Sequence, residues 1–285
     1  MLSKLKFDRI VFMKLSAVIF YNSSNKENIL MLKKIENLLK RKSIKIKKLC
    51  VLEKKTFDLV ADFAISIGGD GTVLYAARSI VDKEIPLISV KCGGLGFLSS
   101  VESRDACRII EDFLNENYKT VNRSLLNVKI DGNTYIALND IVLKSNDHRT
   151  FYTDVYYFDE YISSYFSDGL IISTPTGSTA YNLSCGGPIV HTHSKVILIT
   201  PISPHTLTHR PVVLPDGAQI KVKAHAKHRD GKSIIVSIDG QQNFPYRGKV
   251  LNVSIHDKFL KSIVPKDYSY FEVLRKKLSW GERDD

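Results

Sequence analysis

The chain has few cysteines and no long apolar run, and each shortage excludes something. Four cysteines in 285 residues, Cys50, Cys92, Cys107 and Cys185, lie far apart with no CxxC pair. That argues against a disulfide framework or a zinc knuckle and for reduced thiols in the cytoplasm. No stretch approaches the roughly 20 apolar residues that span a bilayer. The segment Ile10–Phe20 is apolar but broken by Lys14, and it lacks a small-residue cleavage site, so it reads as a first strand and not a signal peptide. Residues 1–12 are expected to be a flexible extension, or translation to start at Met13. There is no GxSxG elbow, no GxxxxGK[ST] loop and no GxGxxG fingerprint. His191 and His193 would share a strand face without a third ligand, and His205 and His209 lack an HExxH context, so no metal site is expected from protein ligands alone. No internal repeat, linker or low-complexity tract is present.

What is present is ordinary in bulk: 44% hydrophobic and 25% charged residues, with a formal net charge of +11. The excess positive charge suits a polyanionic small molecule or nucleic acid. Much of it sits in Lys33–Lys55, where lysines flank an apolar helical stripe, and no basic patch is interleaved with aromatics. It therefore reads as a lysine-rich surface, with neither nucleic acid nor membrane as partner.

The most informative segment is Gly68-Gly69-Asp70-Gly71-Thr72, directly after the apolar run Phe63–Ile67. Glycines without Cβ atoms let several N–H groups converge on phosphate oxygens. Val73–Ile80 reads as a helix whose N-terminus would add a positive dipole end. The plainer reading, an Asp-Gly hairpin turn, is disfavoured because the following residues do not alternate like a strand.

Around this loop the first 120 or so residues alternate between strand and helix patterns. Lys14–Tyr21 reads as a strand and Ser24 as the cap of a helix lined by Leu32, Ile35, Leu38 and Leu39. Ile44 and Ile46 lie on a half-exposed strand, and Pro86–Lys91 on a buried one. Asp105–Leu114 reads as a helix with Cys107, Ile110 and Leu114 on one side. This rhythm predicts an α/β domain with a mostly parallel sheet, over residues 1–123, and ligands at the carboxyl ends of its strands. After Arg123 the pattern changes. Asp131-Gly132-Asn133 between two apolar runs signals a hairpin, and short strands recur at 155–158, 169–173, 195–200, 218–224, 233–238 and 249–255. An all-β domain is expected over residues 124–265, followed by a segment, 266–285, that is helical from Tyr270 to Leu278.

A second motif lies about a hundred residues beyond the first. Asp168-Gly169, five residues, and then Pro175-Thr176-Gly177-Ser178-Thr179-Ala180-Tyr181 form an apolar strand opening into a hydroxyl-rich loop. Such side chains suit ribose and phosphate, and Tyr181 could stack on a base. With Leu95-Gly96-Phe97-Leu98, Asn139-Asp140, Arg210-Pro211, Asp239-Gly240-Gln241 and the ending Phe271–Gly281, the two motifs resemble the NAD kinases, from about Ser16 to near the C-terminus. Diacylglycerol and sphingosine kinases share a GGDGT-like loop but not the second motif. A lipid kinase is therefore one alternative, and a non-catalytic NAD-binding regulator another.

The resemblance implies transfer of the γ-phosphoryl group of ATP, or of polyphosphate, with Mg²⁺ or Mn²⁺, to the 2′-hydroxyl of NAD's adenosine ribose. The active site would lie between the two domains, with the C-terminal segment packed back on the first. Asp70, the only carboxylate in the glycine loop, is the expected proton acceptor, and Gly68, Gly69, Gly71 and Thr72 the expected phosphate contacts. Asn139 and Asp140 would hold the NAD adenosine or ribose. Asp168 would bind the nicotinamide end, and Thr179, Ala180, Tyr181, Asn182, Leu183 and Ser184 would line the NAD pocket. Gln241 is a further carry-over. Asp140 stands where most members have glutamate. Tyr75 stands where many carry a basic residue, Phe166 where arginine is common, and Lys91 where asparagine is frequent. Arg149 is a candidate replacement cation, and Ser203 a candidate contact across a subunit boundary. A homo-oligomer, dimer or tetramer, is implied.

Overall fold

The computed structural model describes residues 15–50, 59–92, 96–99, 101–147, 149–206, 208–225 and 234–281. The expectations for residues 1–12 and Met13, and for Leu95, lie outside them.

The first unit contains β1 (Ser16–Tyr21), α1 (Lys26–Arg41), β2 (Lys45–Cys50), β3 (Phe63–Gly68), α2 (Asp70–Ile80), β4 (Leu87–Lys91), β5 (Val101–Glu102), α3 (Ala106–Leu114) and β6 (Lys119–Arg123). The cap of α1 is Asn25 rather than Ser24: its side chain accepts from the Glu27 amide, while Ser24 donates to Asn22 Oδ1. Leu32, Ile35 and Leu39 are buried as the helical spacing requires. On α3 the buried face is Ala106, Ile109 and Ile110, about one position round from the expected one.

The second unit follows as β7 (Leu126–Ile130), β8 (Asn133–Ala137), β9 (Asp140–Ser145), β10 (Phe151–Tyr157), β11 (Glu160–Ser167), β12 (Gly169–Ser173), α4 (Tyr181–Ser184), β13 (Val196–Ile202), β14 (Val212–Pro215), β15 (Ile220–His225), β16 (Ile234–Ile238), β17 (Gln242–Pro245) and β18 (Leu251–Ile255). The β7–β8 turn, Asp131-Gly132, has φ of 49° and 87°, the doubly left-handed geometry that matches strand twist. These strands form two antiparallel sheets ordered β11-β10-β15-β18-β7-β8 and β14-β13-β12-β9-β16-β17. Residues from both inner faces, including Val128, Leu143, Val155, Ile172, Ile199, Val222, Val236 and Val253, pack as one core.

The chain then returns. β19 (Leu260–Val264) pairs parallel with β4 and antiparallel with β6, completing a sheet ordered β2-β1-β3-β4-β19-β6 with β5 beside β4. The crossing into the α/β unit thus precedes the expected boundary at 265. A five-residue strand carries no local mark of which sheet will receive it. α5 (Tyr270–Leu278) closes the described chain, capped by Ser269.

Two features position the site. β2 and β3 flank β1 on opposite sides, so the chain reverses direction across the sheet between β1 and β3, and β3 ends at Gly68 on that carboxyl edge. α2 also packs both ways. Its Val73, Leu74, Ala76, Ala77 and Ile80 join Val18 and Phe20 of the first sheet with Leu125 and Leu138 of the second unit.

Candidate active site

The glycine loop is tighter than the sequence suggests. Gly68 has φ +148° and closely faces Thr72, leaving no space for a side chain. Gly69 caps α2, and the helix begins at Asp70, three residues before the expected start. The amides of its first turn carry the positive end of the helix dipole. A Cβ on Gly69 would meet nothing within 4 Å, so the backbone there faces open space. Thr72 is buried.

Asp70 is held from outside its own motif. Its Oδ2 accepts from the Phe97 amide at 2.8 Å, and its Oδ1 from Leu98 at 3.1 Å and Ser99 at 3.3 Å. A carboxylate offers about four acceptor directions, so roughly one remains for a substrate hydroxyl. A Cβ on Gly96 would collide with this carboxylate. Phe97, Leu98 and Ser99 are therefore an amide cradle for Asp70, a role their sequence does not announce.

The second motif folds over β9. Thr174 Oγ1 donates to the Leu138 carbonyl at 2.6 Å and accepts from the Gly177 amide at 3.0 Å. Ser178 Oγ donates to the Pro175 carbonyl and accepts from the Val190 amide. Asn182, buried, donates to the carbonyls of Ser178 and Pro188 and accepts from Thr200 Oγ1 at 2.6 Å. Much of the loop's polar chemistry thus shapes the loop itself.

What the loop covers is a pocket of about 300 Å³ lined by Asn139, Asp140, Val142, Lys144, Ala180, Tyr181, Ser237, Asp239 and Gly240. Alternation along β9 sends Ile141 and Leu143 inward and Asp140, Val142 and Lys144 to the pocket face. Lys144 and Ser237 escaped the sequence reading, although that same alternation could have found them. The Tyr181 ring is 42% exposed. Burial raises its phenol's pKa first, then Cys185, Asp140 and Asp168, so Asp168, exposed between β11 and β12, lies within electrostatic reach. Asp140 is only 5% exposed; burial, and secondarily Asp239, raise its pKa to about 7. Asn139 Oδ1 is buried with no partner. Unpaired buried acceptors are costly unless something fills them.

The two motifs are joined by the Asp239–Gln241 turn. Asp239 accepts from the amides of Leu138, Asn139 and Asp140 and pairs with Arg78 of α2 at 3.0 Å. Gln241 accepts from the same guanidinium and donates to the Gly71 carbonyl at 2.8 Å. Burial raises the Asp239 pKa, opposed by those amides and by Arg78.

Other expected residues have other surroundings. Thr179, Leu183 and Ser184 belong to the same loop without lining the pocket. Tyr75 packs edge-on against Phe20, with ring centroids 6.1 Å apart. Phe166 stacks on Tyr152 at 4.7 Å. Arg149 is exposed after β9, where its amide donates to Asp147. Ser203 is exposed at the end of β13 with φ 45°. His191 and His193 lie in a loop rather than on a strand, and His191 packs against Tyr270 and Phe271 of α5. Among the described residues no three His, Cys, Asp or Glu side chains gather to hold a metal ion. Nor, among those residues, is any helix long and apolar enough to cross a membrane.

Comparison with known proteins bears on the family and the fold. Residues 12–118 match the family model of the ATP-NAD kinase N-terminal domain, and residues 138–258 that of the C-terminal domain. A NAD kinase of Solibacter usitatus is 42% identical over 230 residues, 78% of this chain and 79% of its own. That of Hydrogenovibrio crunogenus is 40% identical over 239 residues, 81% of each chain. That of Flavobacterium johnsoniae is 34% identical over 270 residues, 92% of this chain and 91% of its own. In fold, the chain resembles a yeast NADH kinase complexed with NADH, with a TM-score of 0.86 and 22% identity, covering 96% of this chain and 90% of that one. It also resembles an Archaeoglobus fulgidus NAD kinase in complex with ATP, with a TM-score of 0.75 and 21% identity over 93% and 99%. Matches to both halves, not to the glycine loop alone, separate it from the lipid kinases: the chain belongs to the NAD kinase family, whose members phosphorylate NAD to NADP.

Proposed function

We propose that this chain transfers the γ-phosphoryl group of ATP to the 2′-hydroxyl of NAD's adenosine ribose. The ribose oxygen attacks the γ-phosphorus, the bond to the β-phosphate oxygen breaks, ADP leaves, and the hydroxyl proton passes to Asp70. The observation that carries this reading is the relay from Gly71 through Gln241, Arg78 and Asp239 to Asp140, which ties the glycine loop to the nucleoside-sized pocket. NAD is read as held by Asn139 and Asp140 at the ribose, by the Tyr181 ring, and by Asp168 further out. The buried, unpartnered Asn139 Oδ1 supports a ligand there. The triphosphate is read as facing the first-turn amides of α2, which suit anionic oxygens. Magnesium enters as the counter-ion of the triphosphate and not as a resident ion.

Phosphoryl transfer runs through a loose transition state, so alignment and charge neutralisation dominate and early deprotonation matters little. Asp70, fixed by three amides, is suited to orienting the hydroxyl. The first test is NADP formation from NAD, ATP and Mg²⁺, coupled to an NADP-specific dehydrogenase, with Asp70→Asn alongside. The expected result is product from the wild type and a fall of at least about 10²-fold in the variant, with NAD still bound by calorimetry. Wild-type NAD binding without product from either ATP or polyphosphate would favour the regulator instead. Near-normal turnover in the variant would remove Asp70 from its role. We further read the enzyme as a cytoplasmic homo-oligomer with Ser203 near a subunit contact; light scattering on the purified chain tests the assembly.

A further inference from the structure

β9 crosses the floor of the pocket and gives it one face. Ile141 and Leu143 turn into the core, and Asp140, Val142 and Lys144 line the pocket. Those three residues differ in kind. Asp140 lies at the end next to Asn139, where β9 begins. Val142 belongs to a small apolar group with Ile171, Ile202 and Cys185. Lys144 is exposed, four residues further along the strand. At about 3.3 Å per residue, Asp140 and Lys144 stand roughly 13 Å apart.

The register of β12 fixes what lies beside each end. Asp140 is opposite Ser173, at the start of the hydroxyl-rich loop, and Lys144 is opposite Gly169, the residue after Asp168. A Cβ on Gly169 would meet the Leu143 carbonyl oxygen at 2.4 Å and the Lys144 Cα at 3.3 Å, so β12 lies bare against β9 there. The Asp168 carbonyl accepts from the Ser145 amide at 3.4 Å. Lys144 therefore stands on the route from Asp140 to Asp168. On the other flank Ser237, the register partner of Val142, adds a hydroxyl-bearing residue midway along the pocket.

The charges are as uneven as the shapes. Lys144 is the only cation among the described residues that line the pocket. Arg149 is exposed beyond the end of β9 and does not line it. Arg78 is spent on Asp239 and Gln241. The carboxylates do not claim the Lys144 amine: Asp239 is held by Arg78 and three amides, and among the described residues Lys144 makes no ion pair. An ammonium has three donors and no acceptor, and here its donors face solvent at the open end of a nucleoside-sized pocket.

We propose that Lys144 binds the pyrophosphate of the dinucleotide, and so selects a phosphorylated acceptor over a bare nucleoside. This rests on the reading of the pocket as the NAD site. With the adenosine ribose at Asp140 and the far end at Asp168, the anionic linkage between them passes Lys144, which meets it with charge-assisted hydrogen bonds. Lys144 is a positioning residue: it holds the acceptor while the reacting hydroxyl lies at the other end of the pocket.

The test is calorimetric titration of the full chain with NAD and, separately, with adenosine, for the wild type, Lys144→Met and Lys144→Arg. Loss of one charge-assisted hydrogen bond at an exposed site should weaken NAD binding by about 10-fold in Lys144→Met. Adenosine should bind the variant and the wild type within about twofold, because it carries no phosphate. Lys144→Arg should restore most of the NAD affinity. Raising salt from about 50 to 300 mM should weaken NAD binding more in the wild type than in Lys144→Met. In steady-state kinetics the KM for NAD should rise with the dissociation constant and that for ATP stay within about twofold. Equal NAD affinity in wild type and Lys144→Met would overturn the proposal. So would equal losses for NAD and adenosine, which would mean a distorted pocket, or a raised KM for ATP alone, which would put the amine on the donor. A wild type that bound neither ligand would overturn the pocket's assignment as well. One that bound NAD but made no NADP would remove the kinase reading alone, and the binding data would still decide the role of Lys144.

Discussion

At the scale of single residues, Gly96 and Asp140 carry the sharpest consequences. Any side chain at Gly96 meets the Asp70 carboxylate and must push it out of the Phe97–Ser99 amides. Gly96→Ala should leave circular dichroism unchanged yet lower kcat by up to about 10²-fold, the penalty for an ångström of misplacement. Normal kcat would show that the cradle is dispensable. Asp140 titrates at about 7 in the fold against 3.8 as a free side chain. Between those values the folded chain holds a proton that the unfolded chain has released. This contribution to stability is complete below about pH 4 and lost as pH rises through 7. Asp140→Asn, which never ionises, should therefore gain thermal stability over the wild type as pH goes from 5 to 8, then level off. The same ionisation strengthens a hydroxyl acceptor, so the wild-type KM for NAD should fall about threefold or more over that range, with a flat profile in the variant. Asp140 and Tyr181 were legible because their motifs put them beside each other in kind. The Asp70 cradle was not, since backbone amides leave no signature in side-chain chemistry.

At the scale of elements, α2 is the piece on which the site turns. It was legible as a helix from its apolar spacing, but its start was not, because glycines read as loop until tertiary contacts hold them in the first turn. One end starts at the carboxyl edge of the first sheet, one face packs against both units, and Arg78 reaches Asp239, 161 positions away. The Arg78 side chain is 13% exposed and that of Asp239 fully buried. Arg78→Ala should cost about 3–5 kcal/mol of unfolding free energy by stranding that charge, measured by denaturant titration. Arg78→Ala with Asp239→Asn should recover part of it. A loss below about 1 kcal/mol would mean the three backbone amides alone satisfy Asp239. Likewise Gln241, which resembled a ligand residue in sequence, spends both ends of its amide on α2.

At the scale of the whole molecule, β19 binds the ends of the chain together. It fills the gap between β4 and β6 after 130 or so residues of β structure. A fragment ending at residue 123 would leave β6 without its β19 partner and the Leu87–Ile88 edge of β4 open. Such a fragment should be insoluble or non-cooperative in thermal melts, while the full chain melts in one transition; a cooperative melt from the fragment would refute this. By itself the sequence determined the alternation of an α/β half and a β half, the Asp131-Gly132 hairpin, the glycine loop between β3 and α2, and the family. Each of those depends on local periodicity, on residues that only certain backbone geometries tolerate, or on motifs a few residues long. Only the tertiary structure decided that β19 returns to the first sheet, that Leu98 and its neighbours hold Asp70, and that Asp239 joins Arg78. Those are contacts between residues tens to hundreds of positions apart, and which partner a strand edge or a buried charge finds is settled when the whole chain packs.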